Sequence, residues 1–181
     1  MEDESFASLV EAWYAPLYRF ALSLTRREAE ACDLAQQTFF VWAKKGHTLR
    51  DRSRAKTWLF TTLYREFLRV RKREQRTSSL EDLPPGEQDT AEEVEVDLAG
   101  RLDGELVMRA LQEVDVIFRA PLSLFYIKDL SYQEIATVLD VPVGTVMSRL
   151  SRGKAHLRRR LLELTSGNAE RVIDFPQAEA Q

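Results

Sequence analysis

Cysteine, histidine and long apolar runs are scarce in this chain of 181 residues, and each scarcity excludes a class of protein. The single cysteine, Cys32, excludes an internal disulfide and a zinc site built from several cysteines. No apolar run approaches the roughly 20 residues that a membrane-spanning helix requires. The first residues, Met-Glu-Asp-Glu-Ser, are acidic, whereas a signal peptide begins with basic residues. The sequence therefore predicts a cytoplasmic protein.

Residue patterns for catalysis are also missing from the sequence. It contains no glycine-rich loop for phosphate and no set of side chains at the spacing of a metal site. The two histidines, His47 and His156, are isolated from other candidate ligands. We therefore predict a protein that is not an enzyme and that uses no metal and no cofactor.

Charge is distributed unevenly along the chain, although the formal net charge is only −3. Residues 1–76 contain 15 Lys and Arg against 10 Asp and Glu, residues 77–104 contain 1 against 9, and residues 105–181 contain 10 against 10. Binding to nucleic acid depends on local clusters of positive charge, so the basic N-terminal part is a candidate. The acidic stretch contains Pro84-Pro85-Gly86, which forbids a continuous helix, and its like charges repel one another.

Outside the acidic stretch, apolar residues recur with the period of an α-helix. We predict helices over about 6–24, 28–45 and 54–73, and several more over about 102–164. Pro16 should bend the first helix, and Ser53 should be the N-cap of the third. The core candidates of the third helix are Trp58, Leu59, Thr62, Leu63, Phe67 and Val70. In the second helix, Trp42 is expected to be in the core.

These patterns together predict an all-α fold with two small helical domains joined by a flexible acidic linker. The domains cover residues 1–76 and 102–165. The linker covers residues 77–101, and residues 166–181 form a loose C-terminal tail.

Residues 131–152 predict two short helices joined by a tight turn. Ser131 and Glu134 have the S-x-x-E spacing of a capping box, which marks the start of the first helix. Asp140-Val141 forms the turn, and Pro142 suits the first position of the next helix because its missing N–H has no partner there. This arrangement is a helix-turn-helix, whose second helix enters the major groove of DNA.

The second helix of this pair has a polar and basic outer face. Val146 and Leu150 are expected on its buried side. The outer positions follow the spacing i, i+3, i+4, i+7 and are Thr145, Ser148, Arg149 and Arg152, and Lys154 continues the positive charge. Arginine can pair with the two acceptors of guanine in the major groove. The alternative interpretation is an ordinary helical hairpin with a solvated face.

Several segments match the patterns of one protein family. Residues 33–39 read D-L-A-Q-Q-T-F, Trp58-Leu59-Phe60 begins a helix that ends in Arg71-Lys72-Arg73, and residues 130–136 and 144–150 read L-S-Y-Q-E-I-A and G-T-V-M-S-R-L. These segments resemble regions 2 and 4 of the extracytoplasmic-function sigma factors, the smallest members of the bacterial sigma-70 family. The resemblance covers both predicted domains in the right order.

The resemblance implies a promoter-specificity subunit of bacterial RNA polymerase. The first domain would bind core polymerase and would recognise and melt the −10 element, and the second would bind the −35 element as duplex. The partners would be core polymerase, through the clamp and flap of its large subunits, and promoter DNA. An anti-sigma factor is a further partner that the family suggests.

The resemblance also assigns roles to individual residues. The residues facing polymerase would be Asp33, Gln36, Gln37 and Phe40. The −10 element would contact the loop 46–53 and the third helix through His47, Thr48, Arg50, Arg52, Arg54, Lys56, Tyr64 and Arg65. Basic residues with an interleaved aromatic suit a melted strand, since they neutralise phosphates and stack a base. A solvated helix face and an ordinary connecting loop are the alternatives for these two sets.

The chain departs from the family pattern at several positions. Gln37 stands where the family has Glu, Met147 stands where many relatives have Lys or Arg, and Asp115 replaces a proline. Near Arg65 the family often has Asn. Pro121 falls inside an expected helix, which it should bend or whose start it should move.

Two other functions are compatible with the sequence. A sigma mimic would occupy an anti-sigma factor without touching DNA, although the basic faces argue against it. A free-standing helix-turn-helix regulator would bind duplex DNA without polymerase.

Overall fold

The computed structural model describes residues 6–77, 104–128 and 130–166, and these ranges are almost entirely helical. They contain the α-helices α1 (Phe6–Thr25), α2 (Glu28–Lys45), α3 (Ala55–Thr77), α4 (Gly104–Glu113), α5 (Val116–Lys128), α6 (Tyr132–Leu139) and α7 (Val143–Ser166). Two 3-10 turns, Gly46–Thr48 and Arg52–Arg54, connect α2 to α3. No β-strand occurs in the described ranges, and the predicted all-α fold is confirmed.

Helices α1, α2 and α3 pack together as the N-terminal bundle. At its centre Phe20 and Phe60 are fully buried, with ring centroids 5.6 Å apart. Trp42 is buried as expected and meets Trp58 edge-on at 5.0 Å. The prediction that Val70 belongs to the core is wrong, because its side chain is 47% exposed. The described side chains of α3 that follow Phe67 are all exposed, so α3 extends beyond the core of the bundle.

The start of α3 differs from the prediction, because Ser53 lies in the 3-10 turn Arg52–Arg54 before α3, and Asp51 is the N-cap of that turn. One oxygen of the Asp51 carboxylate accepts hydrogen bonds from the Ser53 backbone N–H at 3.0 Å and from the Ser53 hydroxyl at 2.6 Å. Aspartate can bond to the backbone two residues later, so this contact forms the 3-10 turn and α3 begins at Ala55.

Helices α4 to α7 form the C-terminal bundle, in which α5 packs against α6 and α7. Asp115 accepts a hydrogen bond from the Ile117 backbone N–H at 2.9 Å and thereby caps α5. Aspartate therefore starts the helix at the position where the family has proline. Pro121 lies within α5 and does not move its start, which is at Val116.

The two bundles pack against each other. Helix α1 contacts α4 and α5, and α3 contacts α6. Buried apolar side chains of both bundles belong to one continuous core. The predicted linker, apart from Thr77, and the predicted tail, apart from Ser166, lie outside the described residues.

Candidate nucleic-acid interface

Helices α6 and α7 form the predicted helix-turn-helix, and each of its boundaries has a local cause. The Ser131 hydroxyl accepts a hydrogen bond from the Glu134 backbone N–H at 3.3 Å, and the Glu134 carboxylate accepts one from the Ser131 backbone N–H at 2.8 Å. This capping box starts α6. Asp140 ends α6 in the left-handed conformation, with φ 55° and ψ 50°. Pro142 immediately precedes α7 rather than occupying its first position, and its carbonyl accepts a bond from the Thr145 N–H at 3.0 Å.

Helix α7 has the buried side that the sequence predicts. Val146 and Leu150 are buried, and Thr145, Ser148, Arg149 and Arg152 are partly or fully exposed. A helix turns about 100° per residue, so these four outer residues share one face. Met147 is also exposed, by 47%.

Lys154 does not join that face. At about 100° per residue it lies on the opposite side of α7 from Thr145. Its ammonium lies 5.3 Å from the centroid of the Phe125 ring of α5. A cation over an aromatic ring is held by the negative face of that ring, so Lys154 supports the packing of α7 on α5.

The loop between α2 and α3 is held at both ends. A Cβ atom on Gly46 would lie 2.7 Å from the Trp42 ring, so only glycine fits there without movement. At the other end, hydrogen bonds from the Ser53 hydroxyl and backbone lower the pKa of Asp51. Five of the predicted −10 residues lie in or next to this loop and have exposed side chains. They are His47, Thr48, Arg50, Arg52 and Arg54.

Helix α3 carries the other predicted −10 residues, of which Lys56 and Arg65 lie on opposite sides of the helix at about 100° per residue. Arg65 is exposed, and Lys56 and Tyr64 are half-buried. The Tyr64 ring stacks near that of Phe67, with centroids 6.3 Å apart. Burial raises the pKa of Tyr64, and the nearby charge of Arg149 on α7 acts in the opposite direction.

A direct ion pair joins α3 of the N-terminal bundle to α6 of the C-terminal bundle. The Lys56 ammonium lies 3.1 Å from a carboxylate oxygen of Glu134, the same residue that completes the capping box of α6. Beside the pair is a cleft of about 580 Å³. Its α3 and loop wall includes Arg54, Trp58, Thr61 and Arg65, and its α6 wall includes Ser131, Gln133 and Thr137.

The residues predicted to face polymerase are on α2. Asp33, Gln36 and Phe40 are exposed, and Gln37 is half-buried. Asp33 and Gln37 line a groove of about 300 Å³ together with Phe67 and Val70 of α3. The Lys44 ammonium lies over the exposed Phe40 ring, 4.1 Å from the ring centroid. The structure thus brings Asp33 and Gln37 together in one groove.

Arg119 is a residue that the sequence analysis did not single out, although a cation in the interior of the apolar helix α5 was a usable signal. Its side chain is buried, and its Nη1 atom donates hydrogen bonds to the carbonyls of Gln112 at 2.8 Å and Val114 at 3.0 Å. Its Nη2 atom donates to the carbonyl of Leu24 at 3.3 Å. Arg119 thus connects the end of α1 with the end of α4.

No helix in the described part of the chain is long and apolar enough to cross a membrane. Residues 6–77, 104–128 and 130–166 also contain no group of three or more His, Cys, Asp or Glu side chains that could hold a metal ion.

Comparison with known families gives matches to both bundles. Residues 9–77 match the family described as Sigma-70 region 2, and residues 104–157 match the family described as Sigma-70, region 4. The order of the two matches along the chain agrees with the sequence prediction.

Comparison with solved structures agrees with these matches. The sigma factor RpoE from Bartonella quintana, solved in complex with the anti-sigma factor NepR, is 28% identical with a TM-score of 0.65, over 90% of this chain and 98% of that one. CnrH, solved in complex with the cytosolic domain of CnrY, is 19% identical with a TM-score of 0.58 and supports the fold alone.

Similarity to curated proteins identifies the group of sigma-70 proteins to which the chain belongs. The chain is 32% identical to the ECF RNA polymerase sigma factor SigE of Mycolicibacterium smegmatis over 92% of this chain, and it spans 65% of the length of SigE. It is 34% identical to the ECF RNA polymerase sigma factor SigL of Mycobacterium tuberculosis over 87% of this chain and 92% of SigL. Because the match to SigL covers nearly all of both proteins, the chain belongs to the ECF RNA polymerase sigma factors.

Proposed function

We propose that this chain brings core RNA polymerase to promoters by binding the −35 element with α7 and the −10 element with the loop 46–53 and α3. The observation that carries the proposal is that each bundle has basic side chains accessible to solvent, in the loop 46–53 and α3 of one bundle and in α7 of the other. Sigma factors are initiation factors rather than enzymes, so catalysis belongs to the polymerase. We place this work in the cytoplasm, where bacterial RNA polymerase acts.

The geometry of α7 supports the assignment to duplex DNA. Arg149 and Arg152 lie on one face with Ser148, while Val146 and Leu150 attach the opposite side to the bundle. A helix held in this way can present arginine to guanine O6 and N7 in the major groove. Met147 is exposed too, but at about 100° per residue it lies nearly opposite Thr145, away from this face.

The geometry of the loop and of α3 supports the assignment to a melted strand. Arg50, Arg54 and Arg65 are exposed, and Asp51 holds the loop in a fixed turn. Fixed loops suit recognition of unstacked bases, because their polar groups do not need to be ordered on binding. Tyr64 supplies an aromatic ring among these cations, as sites for single strands require.

The α2 face supports the assignment to the polymerase clamp. Asp33 provides a carboxylate that can pair with an arginine of a partner, and exposed Phe40 provides an apolar anchor. Gln37 keeps the hydrogen-bonding shape of the family's glutamate without its charge. We also propose an anti-sigma factor as a partner, since RpoE was solved with one.

Transcription with purified components tests the proposed function. Core polymerase and this chain are incubated with fragments of genomic DNA, and transcript starts are mapped against core polymerase alone. We expect starts that share a −10 and a −35 sequence. A footprint on duplex DNA without polymerase, with no new starts, would instead identify a free-standing regulator. No transcript from any template, with retained anti-sigma binding, would identify a mimic.

A further inference from the structure

The cleft between α3 and α6 has the size of a site for a small molecule. Its volume is about 580 Å³, within the range of roughly 300 to 1,000 Å³ that is typical of ligand pockets. One wall is formed by α3 and the loop before it, and the other by the start of α6. Ligand pockets occur preferentially where two packed units meet. The cleft is therefore a candidate site for a ligand that touches both bundles.

The α3 wall of the cleft has a cation at each end. Arg54 and Arg65 both line the cleft, and both are exposed. The 11 positions between them correspond to roughly 16 Å at 1.5 Å per residue. Arg54 lies 3.4 Å from Asp51, whereas none of the ion pairs among the described residues uses Arg65. A phosphate at the Arg65 end would meet an uncompensated guanidinium, which can donate two parallel hydrogen bonds to it.

Between the two arginines the same wall offers an aromatic ring and hydroxyl groups. Trp58 is half-buried, packs edge-on with Trp42 on one side and lines the cleft. The Thr61 hydroxyl donates to the Thr57 carbonyl at 2.7 Å, so its oxygen can still accept a hydrogen bond. Thr62 adds a second hydroxyl to the lining. At about 100° per residue these side chains share the face of the two arginines, so a base could stack there and a sugar could hydrogen-bond beside it.

The α6 wall is also polar, and its carboxylate is already paired. The Glu134 carboxylate lies 3.1 Å from the Lys56 ammonium and accepts the capping hydrogen bond from the Ser131 N–H at 2.8 Å. The exposed side chains of Gln133 and Thr137 also line this wall. A glutamine amide both donates and accepts, as recognition of a base edge requires. Because Glu134 is paired, the arginines of the opposite wall favour an anionic ligand.

We propose that the cleft between α3 and α6 binds one free nucleotide that carries phosphate on both sides of its ribose. The phosphates pair with Arg54 and Arg65. The base stacks on Trp58 and hydrogen-bonds to Gln133. This site goes beyond the proposed function and does not depend on it, although Arg54 and Arg65 belong to the −10 set as well. A nucleotide within a DNA strand carries the same groups, so the experiment separates the two sources.

Isothermal titration calorimetry on the full-length chain tests the site. The probes are the 3′,5′-bisphosphates of adenosine, guanosine, cytidine and uridine. We expect saturable binding of one bisphosphate per chain. For the base that binds best, the 5′-monophosphate should bind about tenfold more weakly, because one charge-assisted contact is lost. The nucleoside alone and inorganic phosphate alone should show no saturable binding, since each makes only part of the contacts.

Two variants test the two walls separately. Arg65→Gln removes a charge from the α3 wall and should weaken binding of the bisphosphate by at least about tenfold. Gln133→Ala removes the amide from the α6 wall and should weaken it by about three- to tenfold. The matched controls are Arg71→Gln, exposed on α3 but roughly 120° around the helix from Arg65, and Gln36→Ala, exposed on α2. All four positions are exposed, so the unfolding temperature without ligand should not change, and both controls should bind like the unmodified chain.

A short single-stranded oligonucleotide in the same assay distinguishes a free nucleotide from a strand. A strand on the −10 residues does not need the α6 wall, so Gln133→Ala should weaken binding of the bisphosphate and leave that of the oligonucleotide unchanged. Bisphosphate binding that Gln133→Ala does not affect would assign the ligand to the −10 residues alone and would overturn the cleft as its site.

Two further results would also overturn the nucleotide site. One is the absence of saturable binding for all four bisphosphates. The other is an equal loss in Arg65→Gln and Arg71→Gln, which would show general attraction of anions to a basic helix. Failure of the chain to direct transcription from promoters would count against the proposed function alone, because the titration contains no polymerase and no promoter.

Discussion

The Arg119 guanidinium on α5 donates a hydrogen bond to the backbone carbonyl of Leu24 at the end of α1, across the boundary between the two bundles. The same guanidinium donates to the carbonyls of Gln112 and Val114 at the end of α4. The C-terminus of a helix carries partial negative charge, so one cation compensates two helix ends. Burial, followed by the charge of Arg26, lowers the pKa of Arg119 to about 10, so Arg119 stays charged at neutral pH.

Replacing Arg119 should therefore destabilise the fold. Arg119→Met keeps an apolar stem of similar length but removes the donors, which leaves buried carbonyls without partners. We expect the free energy of unfolding to fall by about 2 kcal/mol, as measured by urea denaturation of the full chain. Arg109→Met, an exposed position on α4, is the matched control and should change it by less than about 0.5 kcal/mol. Equal effects of the two changes would contradict the role of Arg119.

Acid should weaken the contact between Lys56 and Glu134. Burial alone would raise the pKa of Glu134, but hydrogen bonds from Ser131 and from the Lys56 ammonium lower it below the ordinary value of 4.5. A carboxyl whose pKa is lowered by folding stabilises the fold above its unfolded pKa, and this contribution is lost as the pH falls through the folded value.

The measurement is the thermal unfolding temperature of the full chain between neutral pH and about pH 3, compared with that of Glu134→Gln. The comparison removes the contribution of other acidic groups, such as Asp51, whose pKa is lowered by hydrogen bonds from Ser53. We expect the advantage of the unmodified chain over the variant to be constant near neutral pH and to disappear below about pH 4.5. If the difference in unfolding temperature between the unmodified chain and Glu134→Gln stayed constant down to pH 3, the lowered pKa of Glu134 would not explain it.

The sequence predicted the parts of the fold whose causes are local. The helical period located the helices, and the spacing of Ser131 and Glu134 predicted a capping box that the structure contains. The predicted N-cap of α3 was wrong because Ser53 belongs to a 3-10 turn capped by Asp51, and only the three-dimensional structure reveals that turn. Val70 continues the apolar period of α3, but the period does not reveal where the neighbouring helices end.

The contact between the bundles was not predictable from local patterns. Charge composition suggested two independent domains with an acidic linker, and no local pattern pairs Lys56 with Glu134. The bond from Arg119 to Leu24 likewise joins residues 95 positions apart. Lys154 was assigned to DNA because positive charge continues along the sequence, but rotation about the helix axis brings it over Phe125.

Alanine should lower the free energy of unfolding at Gly46 but not at Gly144. Gly46→Ala would place a Cβ atom 2.7 Å from the Trp42 ring, and the buried ring cannot move aside easily. We expect a loss of about 1 to 3 kcal/mol in the free energy of unfolding. Gly144→Ala has no atom within 4 Å of the new Cβ and lies in the first turn of α7, so it should be neutral or stabilising by up to about 1 kcal/mol. Urea denaturation measures both, and a destabilising Gly144→Ala would contradict the described start of α7.

Substitutions on the outer face of α7 test whether α7 binds the −35 element while α2 binds core polymerase. Arg149→Ala and Arg152→Ala should each weaken dependence on the −35 element by about 1 to 3 kcal/mol, because each removes one contact to a base or to phosphates. Transcription from a mapped promoter is compared with transcription from a copy whose −35 element is scrambled, and binding to core polymerase is measured separately. Arg158→Ala is the matched control, since Arg158 is exposed on the other side of α7. Core binding should be unchanged, because the proposed polymerase face is on α2. Equal losses of −35 dependence and core binding would contradict the assignment of α7 to DNA.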